Sequence, residues 1–182
     1  MPAIHTLGPR ETDSYLAAQG LTDEDPLYQH FSIQLHHDFS SIYENLGNYH
    51  GDYFLVPVGY QGPAGDTWTS QHYAHWQELI IKKTWSTKTM EMLLVENTEQ
   101  SNSKSVSHRT TKTLLQEFAE QNDLPVQIDY VPAKPLAADA FLSGNYQYAI
   151  FSQNAEKKLQ QHHRILARFQ PEMIWCLYQI KS

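Results

Sequence analysis

The sequence predicts an α/β fold with largely parallel strands. Three observations point to it. Short apolar runs alternate with helix-period segments along the whole chain. Glycine, proline or small hydroxyl residues mark each switch. The passage from strand tip to capped helix near the start recurs near residue 105. Strands alternating with helices favour parallel pairing, and ligands in such folds sit beyond the carboxyl ends of strands, beside helix N-termini.

Ile4 to Leu7 reads as a strand, stopped by Gly8-Pro9. Ser14 to Gln19 reads as a helix with Gly20 as its C-terminal cap. Asp38 is placed to cap FSSIYENLG, where Phe39, Ile42, Tyr43 and Leu46 share one face. YFLVPVGY reads as a buried strand, although Pro57 disfavours a central position. QGPAGDTWTSQHYAHW reads as a turn-rich loop, and ELIIKKTWSTKTMEMLLVEN as β-rich. ENTEQSNSKS is polar and reads as an exposed turn. SVSHRTTKTLLQEFAEQND runs from a strand tip through Ser107, His108, Arg109 and Thr110 into a helix with Leu114, Leu115 and Phe118 inward. VQIDYV alternates as a half-buried strand should. LAADAFLSGN reads as a helix ending at Gly144, YAIFS as a strand, NAEKKLQQHHRIL as a helix and MIWCLYQI as the last strand.

The chain has 182 residues, long enough for one compact unit or two small lobes with their own cores. With 41% apolar residues it is not disordered by composition. A formal charge of −7 argues against a nucleic-acid surface, which needs a basic field. Cys176 is the single cysteine, so no internal disulfide forms, in keeping with a reducing, cytoplasmic setting. MPAIHTLG has neither the basic nor the apolar region of a signal peptide, and no apolar run reaches membrane length.

At the first strand-to-helix junction, Gly8 allows a tight exit and Pro9 sets the turn. Thr12 or Asp13 can cap the helix, and with Ser14 the junction offers hydroxyls and free N–H groups to a carboxylate or phosphate. The same residues also suit a plain capped turn, and the charge of Asp13 opposes an anion.

GPRETDSYLAA resembles the G-P-x-G-T-x-S-x-x-A-A opening of the prephenate dehydratase catalytic domain. VPVGYQG, at 56 to 62, resembles the second family segment, and more so its V-P-x-x-Y-x-G form in the prephenate decarboxylase branch of the bacilysin pathway. SVSHRTTKTLL, at 105 to 115, is similar to the family's S-H-P-x stretch. YAIFSQNAEKK, containing Ser152, resembles the strand and helix that follow. MIWCLYQI falls where dehydratases carry a Thr-Arg-Phe triplet and the decarboxylase a W-S-L-F-like segment. The resemblance spans nearly the whole chain in matching order. It implies a bilobal α/β fold like that of type II periplasmic binding proteins, with a small-acid ligand in an interlobe cleft. Lobe one would hold residues 1–78 and 168–182, and lobe two residues 79–167. It also implies no metal and no organic cofactor, a place in amino-acid biosynthesis, and compatibility with a homodimer.

Three departures shape the expected chemistry. Glu11 replaces a family glycine, with Arg10 beside it to pair with Glu11 or reach a substrate carboxylate. Val58-Gly59 replaces polar residues, leaving Tyr60 as a hydroxyl donor or a core residue. Cys176-Leu177-Tyr178 replaces Thr-Arg-Phe. Dehydration must expel a hydroxyl as water, which needs a proton donor at that oxygen. Leu177 is no donor, and Cys176, the catalytic candidate of this segment beside His108 elsewhere in the chain, is a weak one while neutral. A non-aromatising prephenate decarboxylase, a carbon–carbon lyase, avoids this need.

On that reading the side-chain carboxylate lies at Gly8, Thr12 and Ser14, or at Ser107, Arg109 and Thr110. Arg109 is a clamp or a solvated helix-start residue, since guanidinium grips carboxylate with two bonds. His108 is a proton donor or a capping histidine. Trp175 is an apolar wall or plain core. The rival reading is a non-catalytic binding or regulatory module with the same cleft. His36-His37, His162-His163 and His72-x-x-His75 have no Cys or Glu companion at familiar metal spacing. Lys82-Lys83 is too small a basic run for nucleic acid, and no GxSxG supports a hydrolase.

Overall fold

The structure, a computed structural model, describes residues 1–62, 64–131 and 134–181. The chain divides into two compact α/β units, Met1–Thr89 with Pro171–Ser182, and Met90–Gln170. Each is built on one five-stranded mixed sheet.

The first unit contains β1 (Ala3–Leu7), α1 (Asp13–Glu24), β2 (Ser32–His36), α2 (Phe39–Glu44), β3 (Tyr53–Pro57), α3 (Trp68–Ala74) and β4 (Leu79–Lys88). The second contains β5 (Met92–Asn97), β6 (Lys104–His108), α4 (Lys112–Gln121), β7 (Gln127–Val131), α5 (Lys134–Leu142), β8 (Tyr148–Ser152) and β9 (His163–Phe169). The chain then returns to the first unit as β10 (Glu172–Ile180).

The first sheet runs β2-β1-β3-β10-β4, and the second runs β7-β6-β8-β5-β9. β1, β2 and β3 of the first sheet are parallel, as are β6, β7 and β8 of the second, and the remaining two strands of each sheet pair antiparallel. The sheets are therefore mixed rather than largely parallel. Residues 79–88, expected in lobe two, form β4 and pair along β10 of the first sheet.

The alternation of β10 divides the first core in two. Trp175 and Leu177 pack with Ala17, Ala18 and Leu21 of α1. Cys176 and Tyr178 pack on the opposite face with Ile42 and Tyr43 of α2. Pro57 is tolerated because it ends β3, so its missing N–H falls at the strand terminus. In the second unit, α5 packs Ala137, Ala138 and Phe141 against one face. On the other, α4 contributes Leu115, with Leu114 and Phe118 at the margin.

Three local expectations are corrected. α1 runs through Gly20 to Glu24, because Leu21 extends its buried face into the core. The segment read as a loop at 61–76 contains α3, started by a capping box in which Thr67 and Ser70 satisfy each other's backbone N–H groups. NAEKKLQQHHRIL is not an α-helix: Gln153–Lys158 is 3-10 helix, and β9 follows. The helix-favouring KKLQQ composition yields to sheet pairing, with Arg164 bound to Glu96 across β9 and β5 at 2.6 Å.

Candidate functional site

In the first unit the carboxyl ends of β1, β2 and β3 lie at one end of the sheet, because the three strands are parallel. Each leads into a capped helix. Thr12 caps α1, Asp38 caps α2 and Thr67 caps α3. At Gly8 the chain passes close to β2: its N–H donates to the His36 carbonyl at 2.9 Å, and a Cβ there would meet Leu35 Cβ at 3.0 Å.

The hydroxyls expected at this junction are committed internally. Thr12 Oγ1 donates to the carbonyls of Leu7 (3.0 Å) and Pro9 (2.9 Å) and accepts from Tyr15 N–H (3.2 Å). Ser14 is buried on α1. Arg10 lies over the Tyr15 ring, 5.6 Å from its centroid.

The Tyr60 hydroxyl donates to Asp66 Oδ2 at 2.7 Å and lies 3.3 Å from Ser40 Oγ. Burial pushes its pKa up to about 12, while the same bond holds the Asp66 carboxyl below its ordinary value. Tyr60 also packs in the core, so it serves both as a hydroxyl and as a core residue. Trp175 is core as well: it is 2% exposed, and its Nε1 donates to Thr87 Oγ1 at 2.9 Å. Cys176 is fully buried, and burial pushes its thiol up, away from a proton-donating or nucleophilic role. Trp175 and Cys176 face opposite sides of the sheet, so one small ligand cannot touch both.

In the second unit Ser107, His108, Arg109, Thr110 and Ser152 gather at the carboxyl ends of β6 and β8, which are parallel neighbours. Ser107 Oγ and Thr111 Oγ1 are 2.6 Å apart and both donate to the His108 carbonyl. His108 is a capping histidine: its Nδ1 accepts from Thr110 N–H at 3.3 Å and bonds the Thr110 hydroxyl at 2.7 Å. Ser152 caps the 3-10 turn after β8 by accepting from Asn154 N–H at 3.3 Å. Arg109 is exposed, with its guanidinium 5.1 Å from the centroid of the Tyr130 ring. That stacking leaves its N–H fork open to a carboxylate.

One cluster lies outside the sequence expectations. His5 is 5% exposed in mid-β1. Its Nδ1 is 2.8 Å from His36 Nε2, and its Nε2 is 3.2 Å from Asp52 Oδ2. Asp52 Oδ1 in turn accepts from Ala3 N–H at 2.9 Å. Tyr49 stacks on His5 at 4.0 Å and meets His36 edge-on at 5.6 Å. A legible signal existed: the apolar run AIHTL carries a histidine at an interior position, where a polar ring needs partners. His36 entered the sequence reading only as half of a histidine doublet. Among the described residues no group of His, Cys, Asp and Glu is arranged to hold a metal ion, and no helix is long and apolar enough to cross a membrane.

No protein-family model and no curated protein matches the chain. Solved structures do. A prephenate dehydratase from Arthrobacter aurescens, in complex with L-Phe, has a TM-score of 0.63 at 14% identity over 99% of this chain and 61% of its own. The prephenate dehydratase of Staphylococcus aureus has a TM-score of 0.59 at 15% identity, over 100% of this chain and 67% of its own. The substrate-binding domain of a putative molybdenum transporter from Clostridium difficile has a TM-score of 0.56 at 9% identity, over 99% of this chain and 84% of its own. The chain thus spans roughly three-fifths to two-thirds of those dehydratase chains. Its fold is that of prephenate dehydratase domains and type II periplasmic binding proteins.

Proposed function

We propose that this protein handles a small organic dicarboxylate, prephenate or a close relative, and removes one carboxylate without aromatising the ring. The observation that carries this reading is β10. Cys176, Leu177 and Tyr178 are all fully buried, and Tyr178 bonds His72 Nδ1 at 2.9 Å. None is available to protonate a departing hydroxyl, which dehydration requires. Decarboxylation has no such need: the hydroxyl stays, carbon dioxide leaves, and one ring carbon takes a proton. Arg109 supports the reading as an exposed cation held by stacking beside the Ser107–Thr110 turn. The bacilysin-type pathway, a homodimer and a cytoplasmic setting belong to the same proposal, the last supported by the single buried thiol.

A second reading has its own observation. The hydroxyls of Thr12 and Ser107 already bond within the chain. That suits a binding or regulatory module which holds the acid without turning it over.

Mixing the purified protein with prephenate and following the ring and carboxylate signals by NMR separates the two. A non-aromatic decarboxylated product is expected. Phenylpyruvate would overturn the β10 argument, saturable binding without turnover would favour the second reading, and no binding would sink both. Arg109→Ala should weaken binding, and unchanged affinity would remove Arg109 from the site.

A further inference from the structure

We propose that His36 is the proton-transfer residue of this protein, with His5 and Asp52 as positioning residues that set its tautomer. The inference rests on the small-dicarboxylate reading for its substrate. Its geometry stands independently of that reading.

The direction of hydrogen bonding runs along the chain of groups. An ionised Asp52 carboxylate only accepts, so His5 Nε2 must carry the proton across the 3.2 Å contact. In a neutral His5 that leaves Nδ1 as an acceptor. His36 Nε2, 2.8 Å away, must then be the donor. The lone pair of His36 therefore sits on Nδ1, which has no hydrogen-bond partner among the described residues. Asp52 cannot swing away, because its second oxygen holds Ala3 N–H at 2.9 Å. Tyr49 stacked on His5 restricts the ring between the two.

Position adds to this. His36 is the last residue of β2, directly opposite Leu7, and its carbonyl holds Gly8 N–H at the strand tip. It is half-buried, whereas His5 is sealed.

The second unit supplies an internal control. Both parallel ladders hold five paired positions, and His5 and His36 occupy the third position of β1 and the last of β2. The matching positions in the β6–β7 ladder are Val106 and Val131. This wiring therefore accepts apolar residues at both places, and nothing in the sheet requires two histidines.

Burial first, and His5 second, hold the His36 imidazole below its ordinary pKa, against an opposing pull from Asp38. The groups facing it are His5, Asp38 and Tyr49, with Asp52 behind His5 and His37 adjacent on the exposed side. The free protein thus presents a neutral His36. A dianionic ligand favours the charged imidazole, so binding draws in a proton on Nδ1. In the reaction, one carboxylate leaves as carbon dioxide. The electron pair of its C–C bond shifts through the diene, and the receiving ring carbon takes the Nδ1 proton. His36 returns to neutral, and no redox partner is involved.

Two measurements on the full chain test this. Nitrogen-15 NMR of the histidine rings near pH 8 should show His36 protonated at Nε2 and bare at Nδ1. Asp52→Asn, which turns a donor toward His5, should reverse both rings. A wild-type His36 protonated at Nδ1, or a tautomer unmoved in Asp52→Asn, overturns the relay. Calorimetry with prephenate in buffers of different ionisation enthalpy should show uptake of about one proton per ligand, lost in His36→Gln. Turnover in His36→Gln should fall on the order of 10²-fold or more. Binding with no proton uptake, or full turnover in His36→Gln, overturns the catalytic role. If wild-type protein binds no prephenate, the dicarboxylate reading and the catalytic role built on it both fail, and the NMR result decides the relay by itself.

Discussion

The two units share one wiring diagram and differ in what they place on it. Each has three parallel strands, the first of them flanked by the second and third and joined to them through a helix at each crossover, with antiparallel strands completing the sheet. Asp52 and Gln147 directly precede the third parallel strand of their units, and each accepts a backbone N–H near the start of the first, from Ala3 at the head of β1 and from Ser103 just before β6. On that common frame, the first unit carries Asp52, His5 and His36 where the second carries Gln147, Val106 and Val131. The second unit instead gathers its polar groups in a single turn, from Ser107 to Thr111, with Arg109 outward. Shared wiring with divergent side chains separates what holds the sheet together from what is added for chemistry.

The strongest way to break that comparison is to open each core in turn. Phe54 and Phe151 are both fully buried, on β3 and β8. Replacing either by alanine should cost about 3–5 kcal/mol. Hydrogen exchange should show protection lost first in the mutated sheet. Equal early loss in both sheets after either change would mean that the two cores do not act as separate units.

Next comes a feature that only the first unit has, the loop after β3. At Gly62 a Cβ would fall 1.9 Å from Asp66 Oδ1 and 2.5 Å from the Tyr60 hydroxyl. Gly62→Ala should therefore cost about 1–3 kcal/mol and lower the melting temperature. An unchanged melting temperature would show that the Tyr60–Asp66 pair moves aside freely.

The same pair predicts a pH response. Tyr60 titrates at about 12 in the folded protein against an ordinary 10. The unfolded chain thus loses its phenolic proton first. The stability contributed by Tyr60 is fully present below pH 10 and is lost as pH rises toward 12. Comparing denaturation midpoints of wild type and Tyr60→Phe across that window should show a gap closing with pH, and a constant gap would contradict it.

The smallest effect sharpens the comparison most. The triple change His5→Val, His36→Val and Asp52→Gln gives the first unit the residues of the second. Replacing both members of a hydrogen-bonded pair by apolar groups is nearly neutral, so stability should stay within about 1 kcal/mol. A loss of several kcal/mol in chemical denaturation would make the histidines structural.

Much of this fold was legible because its signals are local. The Asp38 cap and the Phe39–Ile42–Tyr43–Leu46 face read correctly, since both depend on residues within one or two helical turns. The 3-10 turn and strand at 153–169 did not, because β9 forms only by pairing with β5, far back in the chain. The candidate site divides the same way. Ser107, His108, Arg109 and Thr110 were nominated as a local turn and do gather as one. Cys176 and Trp175 were nominated from adjacent positions, yet strand alternation sends them to opposite cores.

By itself, the sequence determined the alternation of strand and helix, the cap at Asp38, and the absence of an internal disulfide, since each follows from composition or from neighbours along the chain. Tertiary structure alone decided that β4 pairs with β10 in the first sheet and that Asp52, His5 and His36 meet. Residues 5, 36 and 52 lie on three segments, and no periodicity links them. Only strand register, a property of the paired backbones, brings their side chains within hydrogen-bond reach.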